Sequence, residues 1–193
     1  GHIDLNTLGA NSGNDCWGWT DPATGKEYAL MGLNTGTSFI DISDLEFPRI
    51  VGFLPTHTTS SSWRDIKTYG NYAFIVSEAS NHGMQVFDLT RLTSVGSDVP
   101  PVTFTEDAHY NGFGKAHNIV INETQGYAYA VGTNTYSGGP HFVNISNPLN
   151  PVSEGGYGND AYSHDAQVVT YNGPDTDYTG KEILIGSNQN EVV

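Results

Sequence analysis

Three polar pairs in this sequence are of residue types that bind ligands or move protons: Arg64-Asp65, His117-Asn118 and His164-Asp165. Asn14-Asp15 is a looser first copy. Each pair opens a short apolar run. Imidazole and carboxylate groups converging on one point hold a metal or an anionic ligand. The bland alternative is structural: such pairs hydrogen-bond neighbouring elements and satisfy buried backbone groups. One Arg and one Asn in the set weaken the case for a dedicated zinc site.

A second candidate is Asp175-Thr176-Asp177-Tyr178-Thr179-Gly180-Lys181-Glu182. Alternating acidic residues, a Gly turn and a following Glu make Asp175, Asp177 and Glu182 candidate calcium ligands, since calcium takes six to eight oxygens. The spacing is shorter than that of a helix-flanked calcium loop, and a solvated hairpin turn explains the same residues. Calcium is thus the one cofactor with a candidate site. His57 and His109 lie in polar loops leading toward the second and third pairs, where they could overhang the same mouth. His82 and His141 read as surface residues. Cys16, alone in the chain, reads as a buried inert thiol. Asn122 and Asn144 head formal glycosylation sequons without other support. No nucleophile elbow, phosphate loop, paired-Cys motif or His-Glu-x-x-His is present.

The elements that must position these residues show themselves by repetition. The second members of the pairs, Asp15, Asp65, Asn118 and Asp165, are 50, 53 and 47 residues apart. After each pair come runs rich in β-branched and aromatic residues, bounded by Gly, Asn, Asp and Pro. In the second unit these are Ile66–Tyr69, Tyr72–Val76 and Met84–Leu89, with Val102–Thr105 closing the unit. That is strand-and-turn grammar. Four short strands in each unit of about 50 residues predict an all-β fold, a β-propeller of four-stranded antiparallel blades. About four blades are present, the last incomplete, because the third strand of the fourth unit should run at Glu191–Val193. Residues 1–193 therefore read as the N-terminal part of a single propeller domain belonging to a longer chain. No amphipathic helix is expected. Repeat equivalence places the pairs on one ring at the channel mouth. Strand alternation then sends Arg64, His117 and His164 toward the channel, and Asp65, Asn118 and Asp165 toward neighbouring blades as caps for backbone N–H groups.

Composition narrows the partners. The net charge is −14 with only seven Lys and Arg, which disfavours nucleic acid and anionic membrane surfaces and favours cations. No run approaches the roughly 18 apolar residues of a membrane span, so no transmembrane segment is expected, and the first residues lack the pattern of a signal peptide.

The strand ends Phe39-Ile40-Asp41-Ile42-Ser43-Asp44 and Phe142-Val143-Asn144-Ile145-Ser146-Asn147-Pro148 resemble LVIVD repeats. Longer blocks, among them Trp17–Pro22, Trp63–Lys67, His82–Asp88, Ala116–Val120 and Tyr171–Tyr178, are similar in order to the choice-of-anchor B family, across nearly the whole chain. The resemblance implies an exported bacterial β-propeller tethered to the cell surface. The function expected for such a chain is an extracellular binding or adhesion platform for a surface partner or ligand, with calcium on an outer loop. The alternative function is a metal-dependent hydrolase or lyase acting at the His-lined mouth. A tightly held transition metal with an open position separates the second from the first.

Overall fold

The computed structural model describes every residue of the chain except Ala161. The chain is all-β apart from short turns of helix, and its strands form four largely antiparallel sheets. The first sheet holds β1 (Gly13–Thr20), β2 (Glu27–Leu33), β3 (Gly36–Asp41) and β4 (Arg49–Pro55). The second begins with β5 (Arg64–Tyr69), β6 (Tyr72–Ser77) and β7 (Met84–Asp88). A single helical turn, α1 (Thr90–Thr93), leads to β8 (Val102–Thr103) and β9 (Ala108–Tyr110). The third sheet is β10 (Asn118–Asn122), β11 (Tyr127–Val131), β12 (His141–Asn144) and β13 (Val152–Gly156). The fourth is the pair β14 (Ser163–Thr170) and β15 (Glu182–Asn188), with Val192 bridging back to Ser187. No helix is long and apolar enough to cross a membrane among the described residues.

One strand is not where its sequence position suggests. Val102–Thr103 does not close the second unit. It pairs in parallel with β4 as a fifth strand of the first sheet, and the outer strand of the second sheet is β9. Phe104 supplies the reason. Its N–H donates to the Phe53 carbonyl at 2.8 Å. Its ring packs against the stacked pair Phe39 and Phe87, with centroids 5.9 and 5.0 Å away. Aromatic burial at the junction outweighs the cost of a longer link.

The inner sheets are apolar on both faces, because each packs against two neighbours. Along β6, Ala73 and Ile75 join a core with Tyr28, Leu30, Phe39 and Phe87. The alternate residues Phe74 and Val76 join a second core with Ile119, Ala128 and Ala130. Along β11, Ala128 and Ala130 face that second core, while Tyr129 and Val131 face a third with Ala166. The period of two thus divides one continuous apolar run between two layers. In the fourth sheet Val169 and Ile185, on strand positions turned from that third core, are each more than two-fifths exposed.

The first strands of successive sheets adjoin in the order β1, β5, β10, β14. Each is an edge strand, so its free N–H groups need acceptors other than a ladder partner. The recurrent acidic residues provide them. Asp15 Oδ2 accepts from the Ile66 N–H at 2.9 Å, and Asp65 Oδ2 accepts from the Ile119 N–H at 2.7 Å. At the next position Ala166 is served by Asp165 of its own strand, at 2.7 Å. Cys16 lies on β1 with its side chain exposed, not buried as its apolar neighbours suggest. The register shift between Gly13 and Cys16, with Asp15 at φ +58°, interrupts the alternation that would decide its face.

Asp65→Ala leaves the Ile119 N–H without its inter-sheet acceptor, and should lower the unfolding free energy by about 1–3 kcal/mol. Asp65→Asn, which keeps an acceptor oxygen, should lose less. Urea unfolding of the two variants beside the parent chain checks the order.

Candidate functional site

The starts of the four first strands surround one open cavity of about 540 Å³. Asn14 and Asp15 come from β1, Trp63, Arg64 and Asp65 from the beginning of β5, His117 and Asn118 from that of β10, and His164 from β14. Of the residues singled out in the sequence, Arg64, Asp65, His117 and His164 therefore meet. Asp165 does not line this cavity. It borders a separate hollow with Gln167, Ile185 and Val192.

The walls differ in chemistry. On one side Trp63 is half exposed, with its ring centroid 5.8 Å from that of His117. The His117 and His164 rings are 4.3 Å apart and tilted. His117 Nδ1 lies 2.7 Å from Glu78 Oε1, an arrangement that fixes the ring and leaves Nε2 for a ligand. On the other side Lys67 Nζ stands 2.7 Å from Asp65 and 3.7 Å from Asp15. Burial, with the adjacent Asp15 carboxylate, pushes Asp65 upward to about 7, against the pull of Lys67. The mouth thus combines an aromatic wall with a buried carboxylate, Asp65, that holds a proton more readily than an isolated acid does.

Arg64 departs from the expected arrangement. Its backbone belongs to the cavity, but its guanidinium is buried behind it. Nε donates to the Leu33 carbonyl at 3.0 Å, and Nη2 to Thr56 Oγ1 at 2.8 Å. Nη1 stands 3.1 Å from His82 Nε2. None of these acceptors is a carboxylate, and burial lowers the Arg64 pKa to about 10. An arginine can only donate, so His82 Nε2 must be the acceptor. His82 is then neutral, with Nδ1–H donating to the Gly83 carbonyl at 3.0 Å.

His82 and His141 are both buried, contrary to the surface positions expected for them. His141 is held by Tyr110 Oη at 2.7 Å and Thr135 Oγ1 at 2.9 Å. Both histidines open or precede a third strand, which in this fold is an interior strand with a neighbour on each side. His57 and His109 do not overhang the cavity. They stack on each other at the junction of the first and second sheets, with centroids 3.7 Å apart. Sequence reasoning missed Glu78 and Glu106. Glu78 is 39 residues from His117, and no motif joins them; they meet because one sheet follows another.

The carboxylates expected to bind calcium do not gather. Asp175 Oδ1 accepts the Asp177 N–H at 3.1 Å in a local turn. Glu182 lies at the start of β15, where it faces Tyr129 and, after burial, raises that phenol's pKa. Among the described residues the one trio with ligand atoms close enough to share a metal is His57, Glu106 and His109.

No protein-family model matches the chain, and no curated protein matches it in sequence.

The pH dependence of folding should carry the signature of His82. Burial first, then the Arg64 charge, depress its pKa to about 4. Between that value and the unfolded value near 6.5 the unfolded chain binds the extra proton. Stability from this group is therefore complete above about pH 6.5 and is lost as pH falls toward 4, on the order of 3 kcal/mol in all. Asp65, with its raised pKa, contributes in the opposite sense over the same range, so the His82 contribution is read as a difference: from pH 7.5 to pH 5 the parent chain should lose more stability, or gain less, than His82→Asn in denaturant unfolding.

Proposed function

We propose that the four sheets are successive blades of a β-propeller, and that the chain is an exported, cell-surface binding platform of the kind its resemblance to the choice-of-anchor B family implies. The observation that carries this reading is that one cavity draws residues from the first strand of every sheet. Repeat-equivalent positions converge in this way when repeated units turn about a common axis. On this reading the exposed face of the fourth sheet, with Val169 and Ile185, is where a further layer packs.

The cavity suits a small polar ligand with one flat apolar face. Trp63, His117 and His164 offer ring surface, and Asn14, Asp15 and Asn118 offer hydrogen-bonding groups at the opposite wall. Ligand pockets commonly combine apolar surface with a few placed polar groups in this way. A hydroxyl-rich glycan of the cell envelope fits that description and the extracellular setting. The −14 charge, with only seven Lys and Arg, disfavours nucleic acid.

Catalysis is the second reading, favoured by one observation. A carboxylate–imidazole pair such as Glu78–His117 is the arrangement of a general base. The platform is the reading that the convergence of all four first strands on one cavity supports, whereas catalysis rests on the single Glu78–His117 contact.

Titration with soluble envelope oligosaccharides, followed by tryptophan fluorescence, tests the platform. Trp63→Ala should weaken binding about tenfold or more, the loss of one stacked aromatic contact being worth 1–3 kcal/mol in related settings. His164→Ala should weaken it too, with the melting curve unchanged. Binding indifferent to both substitutions would remove the cavity from the function.

A further inference from the structure

We propose a second site, independent of the cavity: a zinc-class divalent metal site formed by His57, Glu106 and His109. His57 lies in the loop after β4, Glu106 in the link between β8 and β9, and His109 on β9. One ligand atom from each lies within 4.8 Å of the other two. Two imidazoles and one carboxylate suit zinc and its first-row neighbours, whereas calcium and magnesium take oxygen ligands.

Two of the three ligands are already oriented. His109 Nε2 lies 2.7 Å from the His82 carbonyl and can only donate to it. Its Nδ1 therefore carries the free lone pair. Such a second hydrogen bond is the usual means of fixing a metal-bound imidazole. Gly83 makes that contact possible. It sits at φ +62°, and a Cβ there would press on the Tyr110 carbonyl and stand 2.9 Å from His109 Nε2. Glu106 Oε2 accepts from Gln85 Nε2 at 2.7 Å, which turns Oε1 toward His57 Nδ1, 2.8 Å away. Gln85 is 2% exposed and is the cross-strand partner of His109. Its own Oε1 is buried without a partner among the described residues, an unmet polar atom beside the site.

The third ligand must move. The His57 and His109 rings lie nearly parallel, 10° apart, and an imidazole takes a metal near its own ring plane. Both rings cannot do so while stacked. His57 is exposed on a loop and can turn, while His109 is held. Tetrahedral zinc, with bonds of about 2.0–2.2 Å, needs ligand atoms about 3.3 Å apart. The widest separation must then close by at most about 1.5 Å, within reach of a side-chain rotation. Zinc replaces the hydrogen bond between His57 Nδ1 and Glu106 Oε1. The neutral ring then carries its one proton on Nε2, moved there from Nδ1 through solvent, and nothing is oxidised or reduced. A hollow of about 280 Å³, walled by Leu54, Thr56 and Phe104, opens beside Glu106 and Gln85. It leaves room for a fourth, exchangeable ligand, the feature that separates catalytic from structural zinc sites.

The chelator-treated full chain, titrated with zinc chloride by calorimetry, tests the site. One zinc per chain should bind, and the melting temperature should rise. Gln85→Met, which removes the donor to Glu106 and with it the hydrogen bond to the Pro55 carbonyl, should weaken binding about 10–100-fold. Glu106→Gln and His57→Ala should weaken it further. His57→Ala, on an exposed loop, preserves the fold if other variants do not, and circular dichroism verifies this. A folded parent chain that takes up no zinc at micromolar concentration overturns the proposal. So does binding that survives Glu106→Gln combined with His57→Ala, or that is lost instead on His164→Ala, since the metal would then belong to the cavity. Glycan binding at Trp63 is read separately, so the two sites can fail independently.

Discussion

The structure depends on how the edge strands that begin each sheet satisfy their backbone. Four sheets packed face to face bring β1, β5, β10 and β14 side by side without a ladder between them. The outward N–H groups of these strands are shielded from water by the neighbouring strand, and a buried donor left without an acceptor is costly. A short acidic or amide side chain at the same place in each unit resolves this. Asp65 does so twice, accepting from Ile66 on its own strand and from Ile119 on the next. The repeat in the sequence is thus a repeated solution to one hydrogen-bonding requirement.

That solution also makes a site. The side chains that cap the N–H groups and those just before them stand at one end of the first strands, where the chain comes in from loops. The same place that needs polar groups for structure therefore collects imidazoles, carboxylates and amides around a 540 Å³ opening. Structural roles and the proposed ligand-binding role are divided between neighbouring residues. Asp65 is buried and committed to backbone donors, whereas His164 is exposed.

Arg64 and His82 join this region to the junction of the first two sheets. The Arg64 N–H is held by Asn14 Oδ1 at 2.9 Å, at the cavity, while its guanidinium reaches His82. His82 in turn presents its carbonyl to His109. A buried arginine whose acceptors are a carbonyl, a hydroxyl and a neutral imidazole is tolerated only because each is well placed. The same placement holds His82 neutral and fixes the ring that faces Glu106. The cluster at this junction is consequently preorganised on one side, by β7 and β9, and adjustable on the other, at the His57 loop.

The sequence by itself determined most of the strands and the grouping of the inner ones. The 50-residue spacing, the two-residue alternation and the turn residues marked β5, β6 and β7, and likewise β10, β11 and β12, because these depend on local geometry and nearby burial. It also marked Arg64, His117 and His164 as one equivalent set and Asp65, Asn118 and Asp165 as another, since repeat position is a property of the chain alone. Tertiary structure decided the rest. Val102–Thr103 joined the first sheet because Phe104 found its aromatic partners there. His82 and His141 became interior because a third strand lies between two others. Glu78 met His117, and Glu106 met His57 and His109, across sheet junctions. No local period records such meetings: they are fixed by how whole sheets stack, and side chains far apart along the chain become neighbours only after both faces of each sheet are buried.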